Sequence, residues 1–460
     1  MVAAFPGAEG GGATATGGRG GRTIVVRNTN ATGDGSLYAA LMENGTRTII
    51  FQISGIIDWS SVGSVKVTSG DLTVAGQTSP GFGILIKNGN IELQASNIII
   101  RYITMRCGKG SNNGDIITTY GSRQILDHVS ISWANNDMWG IWNYGYPNRN
   151  TDDITLQWSI VSESFAPPND PWNLAYHPTL INVGAEGRPN HPEESPYFYN
   201  TSIHHNLLSQ TNERMPQVKS ADASIVNNII YNSYSIMSMF SGGGTFDFIG
   251  NRYKNNILTT RQKEIAGQTK NGVDDMGLPG DPSVYVSNNM NMSGIVPSDQ
   301  WGMVSGNWYS PTSAPSSWKR NPWIPNTPDI YPITIDSVSD IDSIVLPTVG
   351  NSRYIDANGN WVNRNDVVDA RYIKDYKNGT GKTPTHQNDV GGYPTYYPTT
   401  PYTDSNSDGI SDVWAAANGI NTSNPANKIA ANGYSNLENF INGEHSLTCP
   451  KSECNFTITQ

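Results

Sequence analysis

The feature that most constrains this chain is a short unit that returns along it: a β-type run in which an apolar residue is followed three positions later by a polar one. It reads Ile203/Asn206, Ile225/Asn228 and Phe248/Asn251, with the apolar residues 22 and 23 positions apart. The pattern extends upstream through Ile98/Arg101, Ile125/His128 and Ile154/Gln157, and downstream to Tyr285/Asn288. About 22 residues suffice for one coil of three short strands and their turns, and wider spacings then mean loops inserted on particular coils, usually on the binding face. A solenoid grows along one axis, so 460 residues need not divide into several globular domains. Asn at one place in successive coils predicts a ladder of stacked amides; the plainer alternative is that Asn marks turns.

The expected fold is therefore all-β, a right-handed parallel β-helix with long inserted loops. The Gly- and Ala-rich opening, residues 1–22, precedes a strand and reads as an ordered cap loop. Ser36–Asn44 is amphipathic at helical spacing and is placed to cover the open end of the solenoid, where an exposed strand edge is a liability. Residues 300–400 lose the period and turn rich in Pro, Trp, Tyr and Asp, which suits an extension wrapped along the solenoid. This gives a main domain over 1–395, a linker over 396–403 and a small module over 404–460.

A net charge of −10 excludes nucleic acid as the expected partner, because phosphate binding is dominated by Lys and Arg. No apolar run is long enough to span a membrane. MVAAFPGAEG carries neither the basic nor the apolar stretch of a signal peptide. Export would use a leader already removed, or another route. Three cysteines are too few for a disulfide framework. Cys449 and Cys454 enclose a short loop and are a candidate pair in an oxidising compartment, while Cys107, inside an apolar run, reads as a buried thiol.

Two acidic groups suit a hard cation. Asp404, Asn406, Asp408 and Asp412 take positions 1, 3, 5 and 9 of a D-x-N-x-D-G loop, with Gly409 at the sharp turn, a spacing that wraps oxygens around Ca²⁺. Position 12 is Ala415 where an EF-hand has Glu, and Glu438 is a candidate substitute. On the solenoid, Asn113, Asp115 and Asp137 are expected to converge from neighbouring coils; the alternative is that each is a turn residue. Asp127-His128 lies inside an apolar strand and reads as a structural pair.

Between two of the repeat units, the loop TNERMPQVKS presents Arg214 and Lys219. Read in order, FPGAEGGGATATGGRGG, GDGSLYAAL, RTIIFQISGII, LTVAGQTSPG, NIIIRYITMRCG, LDHVSISWA, ITLQWSIVSES, HHNLLSQTNERMP, VNNIIYN and VDARYIKDYKNGTG resemble the pectate lyase family, polysaccharide lyase family 1, over roughly residues 4–395. The resemblance implies calcium-assisted β-elimination of polygalacturonate. It matches Arg214 to the base that takes the C5 proton, and Asp115 and Asp137 to calcium ligands. Lys219 stands where the family's RxPxxR form has a second Arg, and is the alternative base; Gln217 stands where the RxPR form has Arg. Asn113 replaces a frequent Asp, and Ile141 falls about where many members supply a further carboxylate, so calcium is expected to bind weakly or mainly with substrate.

His177, Glu163, His205 and Lys219 are candidate substrate contacts, with His204 and His205 expected to point one inward and one outward. Trp133, Trp139, Trp142 and Trp172 are expected near the same face, either stacking on sugar rings or buried in loop packing. The chain is thus expected to be an extracellular, monomeric lyase acting on an acidic polysaccharide. Two rival readings use the same fold. A β-helix glycoside hydrolase would need paired carboxylates flanking the scissile bond. A non-catalytic or virion-borne polysaccharide-binding spike would need no base at all.

Overall fold

The computed structural model describes residues 2–110, 115–142, 151–165, 179–184, 198–219, 221–255, 263–268, 280–308, 310–320, 331–364 and 366–443. Short parallel strands form three long sheets that wind as a right-handed parallel β-helix of about eight turns. The first sheet runs over ten strands, from Arg22–Val26 to Pro282–Ser287. The second has eight, from Gly55–Asp58 to Arg252–Lys254. The third has ten, and its middle strands are Ile117–Thr119, Asp137–Ile141, Thr179–Val183, Gln217–Lys219 and Ser238–Ser241.

Strict register explains the repeat. In the first sheet Val74, Ile100, Leu126, Leu156, Ile203, Ile225 and Phe248 pair in turn and are all buried, one aliphatic rung per coil. Successive side chains along each strand point to opposite faces, so the rung fills the interior while its neighbours face out. Beside it runs the amide ladder. Asn206 Nδ2 donates to Asn228 Oδ1 at 2.9 Å, Asn228 Nδ2 to Asn251 Oδ1 at 3.1 Å, and Asn251 Nδ2 to Asn289 Oδ1 at 3.1 Å. Downstream the rung is Asn289, with Asn288 exposed beside it. The upstream units keep a different register from the one expected: Arg101, Asp127 and Gln157 pair in turn, and Gln157 stands opposite His204, two residues before Asn206. The apolar residues in line with Ile203 there are Ile100, Leu126 and Leu156, not Ile98, Ile125 and Ile154.

His128 instead occupies a corner. Tyr102, His128, Trp158, His205 and Asn227 hold that corner in successive coils, all with φ between 51 and 55°. A left-handed backbone is unfavourable for bulky residues, and here the rings stack, Tyr102 on His128 and Trp158 on His205 at 4.6 Å each. Asp127 is buried between Arg101 (2.7 Å) and His128 (2.9 Å), a structural pair as its place in the strand implied.

The helix Leu37–Met42 covers the end of the solenoid, with Leu37, Ala40 and Leu41 in the main core. The Gly-rich opening does not cap that end. It lies along the outside of the first sheet, where Gly11 N–H donates to Ser202, Gly12 to Thr155, Thr16 to Asn97 and Gly18 to Thr73. A Cβ at Gly12 or Gly18 would come within 2.3 Å of a backbone oxygen of the sheet, so only glycine permits this approach.

The helix Val367–Asn378 packs Val368, Tyr372 and Tyr376 against Trp133, Ile160, Leu207, Ile229 and Tyr231 of the second sheet's outer side. Residues 404–443 are not a detached unit. Ile410, Trp414, Leu437, Phe440 and Ile441 share one apolar cluster with Val25, Ile50 and Ala75 of the first sheet, and Arg19 pairs with Glu438 at 2.8 Å. Cys107 is buried and donates to Gly89 O, whereas Cys449 and Cys454 lie outside the described residues.

Candidate active site

The outer face of the third sheet carries the cleft chemistry. Ile117 pairs with Trp139, which sets Asp115 abreast of Asp137 one coil on, and Asp137 pairs with Thr179 on the next coil. Thr179 in turn bridges to Glu213. One row across four coils therefore reads Asp115, Asp137, Thr179 and the Glu213-Arg214 corner. Arg214, at φ 63°, places Nη1 3.8 Å from Asp137 Oδ1 and Nε 3.4 Å from Glu213 Oε1.

Both carboxylates are held by neighbours. Asp115 accepts from Asn136 Nδ2 at 3.0 Å and from Trp142 Nε1 at 2.9 Å. Asp137 accepts from the Thr179 hydroxyl and from Asn182 Nδ2 at 3.1 Å. Burial, then the charge of Asp137, pushes the Asp115 carboxyl up to about 7. Gly140 leaves room for this arrangement, since a Cβ there would meet Asp115 Oδ2 at 2.1 Å. Lys219 Nζ sits 5.6 Å from the centre of the Trp142 ring, a cation–π distance, so one indole touches both the acidic pair and the second cation.

Asp115 and Asp137 are thus two hard oxygen donors, side by side, with more negative charge than a buried site tolerates unaided. That donor set suits a divalent cation such as calcium. Among the described residues no three of His, Cys, Asp or Glu converge on one point, and Asn113 lies outside them.

Several expected residues are elsewhere. Glu163 is fully buried beneath the C-terminal helix, accepting from Arg371 at 2.5 and 2.8 Å, from Trp133 Nε1 at 2.9 Å and from the Tyr372 hydroxyl at 3.1 Å. It is a packing carboxylate, not a substrate contact. His205 is also buried, stacked on Trp158 and paired with Asp336 at 3.0 Å, and His204 beside it is buried too. His177 and Trp172 fall outside the described residues. Trp133 and Trp139 are wholly buried, which leaves Trp142 as the described tryptophan with polar work in the cleft.

Among the described residues the 404–412 loop holds no group of three or more His, Cys, Asp or Glu placed to hold a metal ion together. Asp404 accepts from the Asp408 and Gly409 N–H groups, Asp408 from the Ile410 N–H, and Asp412 from Ser405. Its side chains are turned onto the loop's own backbone, and Glu438 is engaged by Arg19 and by the helix start at Ser435.

No family model matches the chain. Curated relatives do. "Probable pectate lyase C" of Neosartorya fischeri is 28% identical over 96% of this chain and 93% of its own length, and that of Aspergillus fumigatus is 29% identical over the same shares. The protein of the same name from Aspergillus terreus is 34% identical over 55% of this chain and 53% of its own length. Among solved structures, jun a 1, the major allergen from cedar pollen, covers 75% of this chain and 92% of its own at a TM-score of 0.50 and 14% identity, a likeness of fold. Over nearly its whole length the chain resembles curated pectate lyases. Its enzyme class is polysaccharide lyase.

Set against that family, the Asp115, Asp137, Arg214 and Lys219 positions that carried the resemblance do share one face of the β-helix. The sequence pointed to them through the GD, WANND and RMP signatures. It named Trp142 only as one of four tryptophans expected near this face, and did not point to Thr179 or Asn182; the contacts of all three with the acidic pair arise only when coils stack.

Proposed function

We propose that this protein cleaves polygalacturonate by β-elimination, with Arg214 as the base that takes the C5 proton. The observation that carries the reading is the row that runs from Asp115 and Asp137 through Thr179 to the Glu213-Arg214 corner, with Asp137 and Arg214 3.8 Å apart. An elimination needs an electron sink for the uronate carboxylate and a base beside it, and this row supplies sites for both.

Asp115 and Asp137 would hold calcium, which when bound would neutralise their charge and draw electron density from the substrate carboxylate. Lys219 binds a uronate carboxylate as a point charge, in place of a bidentate guanidinium. Arg214 receives the proton from C5; the C5–H electron pair forms the C4–C5 double bond, the C4–O bond breaks, and the leaving oxygen is protonated from water. A guanidinium is charged at neutral pH and accepts nothing in that state, so turnover is expected to favour alkaline conditions. A polymer of this size is met outside the cell, and we place the protein there as a monomer. No described helix is long and apolar enough to cross a membrane.

The test is ultraviolet absorbance of polygalacturonate incubated with the protein at mildly alkaline pH, with calcium or with excess EDTA. Calcium-dependent appearance of the unsaturated product is the expected result. Reducing ends without absorbance would mean hydrolysis and overturn the lyase assignment, as would flat absorbance on polygalacturonate, methylated pectin and other uronate polymers.

A further inference from the structure

The strand Gln217–Lys219 follows Arg214 on the sheet that carries Asp137 and Asn182. Val218 faces the interior core, so by strand alternation Gln217 and Lys219 face outward, as do Asn182 and Met239 to either side of Gln217 in register. Gln217 has no exposed surface, and neither its Nε2 nor its Oε1 has a hydrogen-bond partner. Among the described residues it is the only side-chain amide with both ends left open in this way. Beside it Asn182 donates to Asp137 at 3.1 Å while its own Oδ1, also buried, is open. A buried amide with nothing on either end is costly, and such exceptions call for a specific explanation.

We infer that Gln217 is a specificity-determining residue that reads a ring hydroxyl of the polysaccharide. The inference rests on the cleft assignment above and adds the chemical group recognised there. A carboxylate offers only acceptors and would satisfy one end of the amide. A hydroxyl both donates and accepts, and so matches a side chain open at both ends. The uronate carboxylates would have their own partners in Lys219, two residues on, and in a cation held by Asp115 and Asp137. Burial sharpens the discrimination, because a substrate lacking the hydroxyl hydrogen would leave the amide unpaired in the complex.

The experiment compares kcat/KM on polygalacturonate and on the same polymer O-acetylated at the 2- and 3-hydroxyls, for the wild type and Gln217→Met. Methionine keeps the shape and removes both open ends, so the thermal midpoint should hold or rise. The kcat/KM on polygalacturonate should fall about tenfold or more, while that on the acetylated polymer stays within about twofold, so the preference between the polymers narrows. An unchanged kcat/KM on polygalacturonate, or an equal fall on both polymers, overturns the inference. Gln217→Ala, read the same way, serves if methionine does not fit. Should the wild type release no unsaturated product at all, the lyase reading fails separately. Calorimetric binding of trigalacturonate and its acetylated form to wild type and variant then still decides whether Gln217 reads the hydroxyl.

Discussion

Arg214 Nη1 lies 3.8 Å from Asp137 Oδ1, a cation and an anion set face to face by the stacking of coils whose residues are far apart in sequence. If Arg214 is the base, Arg214→Ala lowers kcat by roughly 10²–10⁴-fold, the usual worth of a positioned general base. Lys219→Ala should then raise KM chiefly, through loss of a carboxylate contact. The reverse split, with Lys219→Ala abolishing kcat and Arg214→Ala affecting KM, would move the base to Lys219. Steady-state kinetics on polygalacturonate at saturating calcium decides between them.

Asp115 gives a pH signature. Its carboxyl is pushed from an ordinary value of 3.8 up to about 7 by burial and by Asp137. Between those values the folded state binds the extra proton, so this group's contribution to stability falls as pH rises from about 4 to about 7 and stays low above. If Asp115 and Asp137 hold calcium as proposed, the cation competes with the proton for this site and restores what deprotonation removes. At pH 8, a calcium concentration a hundredfold above its Kd should stabilise the fold by about 2.7 kcal/mol. At pH 5, where a proton already occupies Asp115, the gain should be markedly smaller. Calorimetric midpoints with and without calcium measure both. An equal gain at the two pH values, or one unchanged in Asp115→Asn, would place calcium elsewhere.

Glu163 separates packing from catalysis. Its four hydrogen bonds tie the coil at Ser162 to the C-terminal helix through Arg371 and Tyr372. Glu163→Ala leaves the Arg371 guanidinium without its bidentate partner and should cost about 3–5 kcal/mol, the range for breaking a buried pair. KM on polygalacturonate should not move in protein that remains folded. A raised KM with an unchanged denaturant midpoint would return Glu163 to the substrate.

The fold was legible because its cause is periodic: one aliphatic rung per coil leaves its mark every 22 or 23 residues wherever no loop intervenes. Register was less so. In Asn288-Asn289 two polar residues adjoin and only the second enters the ladder, while upstream the polar residues Arg101, Asp127 and Gln157 stand in register with His204, two positions off Asn206. Glu163 was misplaced for a different reason, since its guanidinium partner lies 208 residues away on a helix whose docking no local pattern encodes. The acidic pair and Arg214 were readable as local signatures. Trp142 and Gln217 were visible as residues, but the indole's bond to Asp115 and the open amide of Gln217 were not, because each depends on what stands one coil away.

The ladder offers the sharpest test of register. Asn289 is buried, accepting from Asn251 and donating to Phe248 O at 2.8 Å, whereas Asn288 beside it is exposed at φ 54°. Asn289→Ala takes the acceptor from the Asn251 N–H and from one hydrogen of its Nδ2, whose other bond to Ile225 O remains, and removes the donor to the Phe248 carbonyl. Each buried group left unpaired costs about 1–3 kcal/mol. Asn288→Gly keeps the left-handed turn and loses no ladder bond, so its effect should stay within about 0.5 kcal/mol. Urea unfolding of the two variants measures the contrast. Equal losses would mean that the amide at 288 shares the axis, and that the last rung is set by the turn itself.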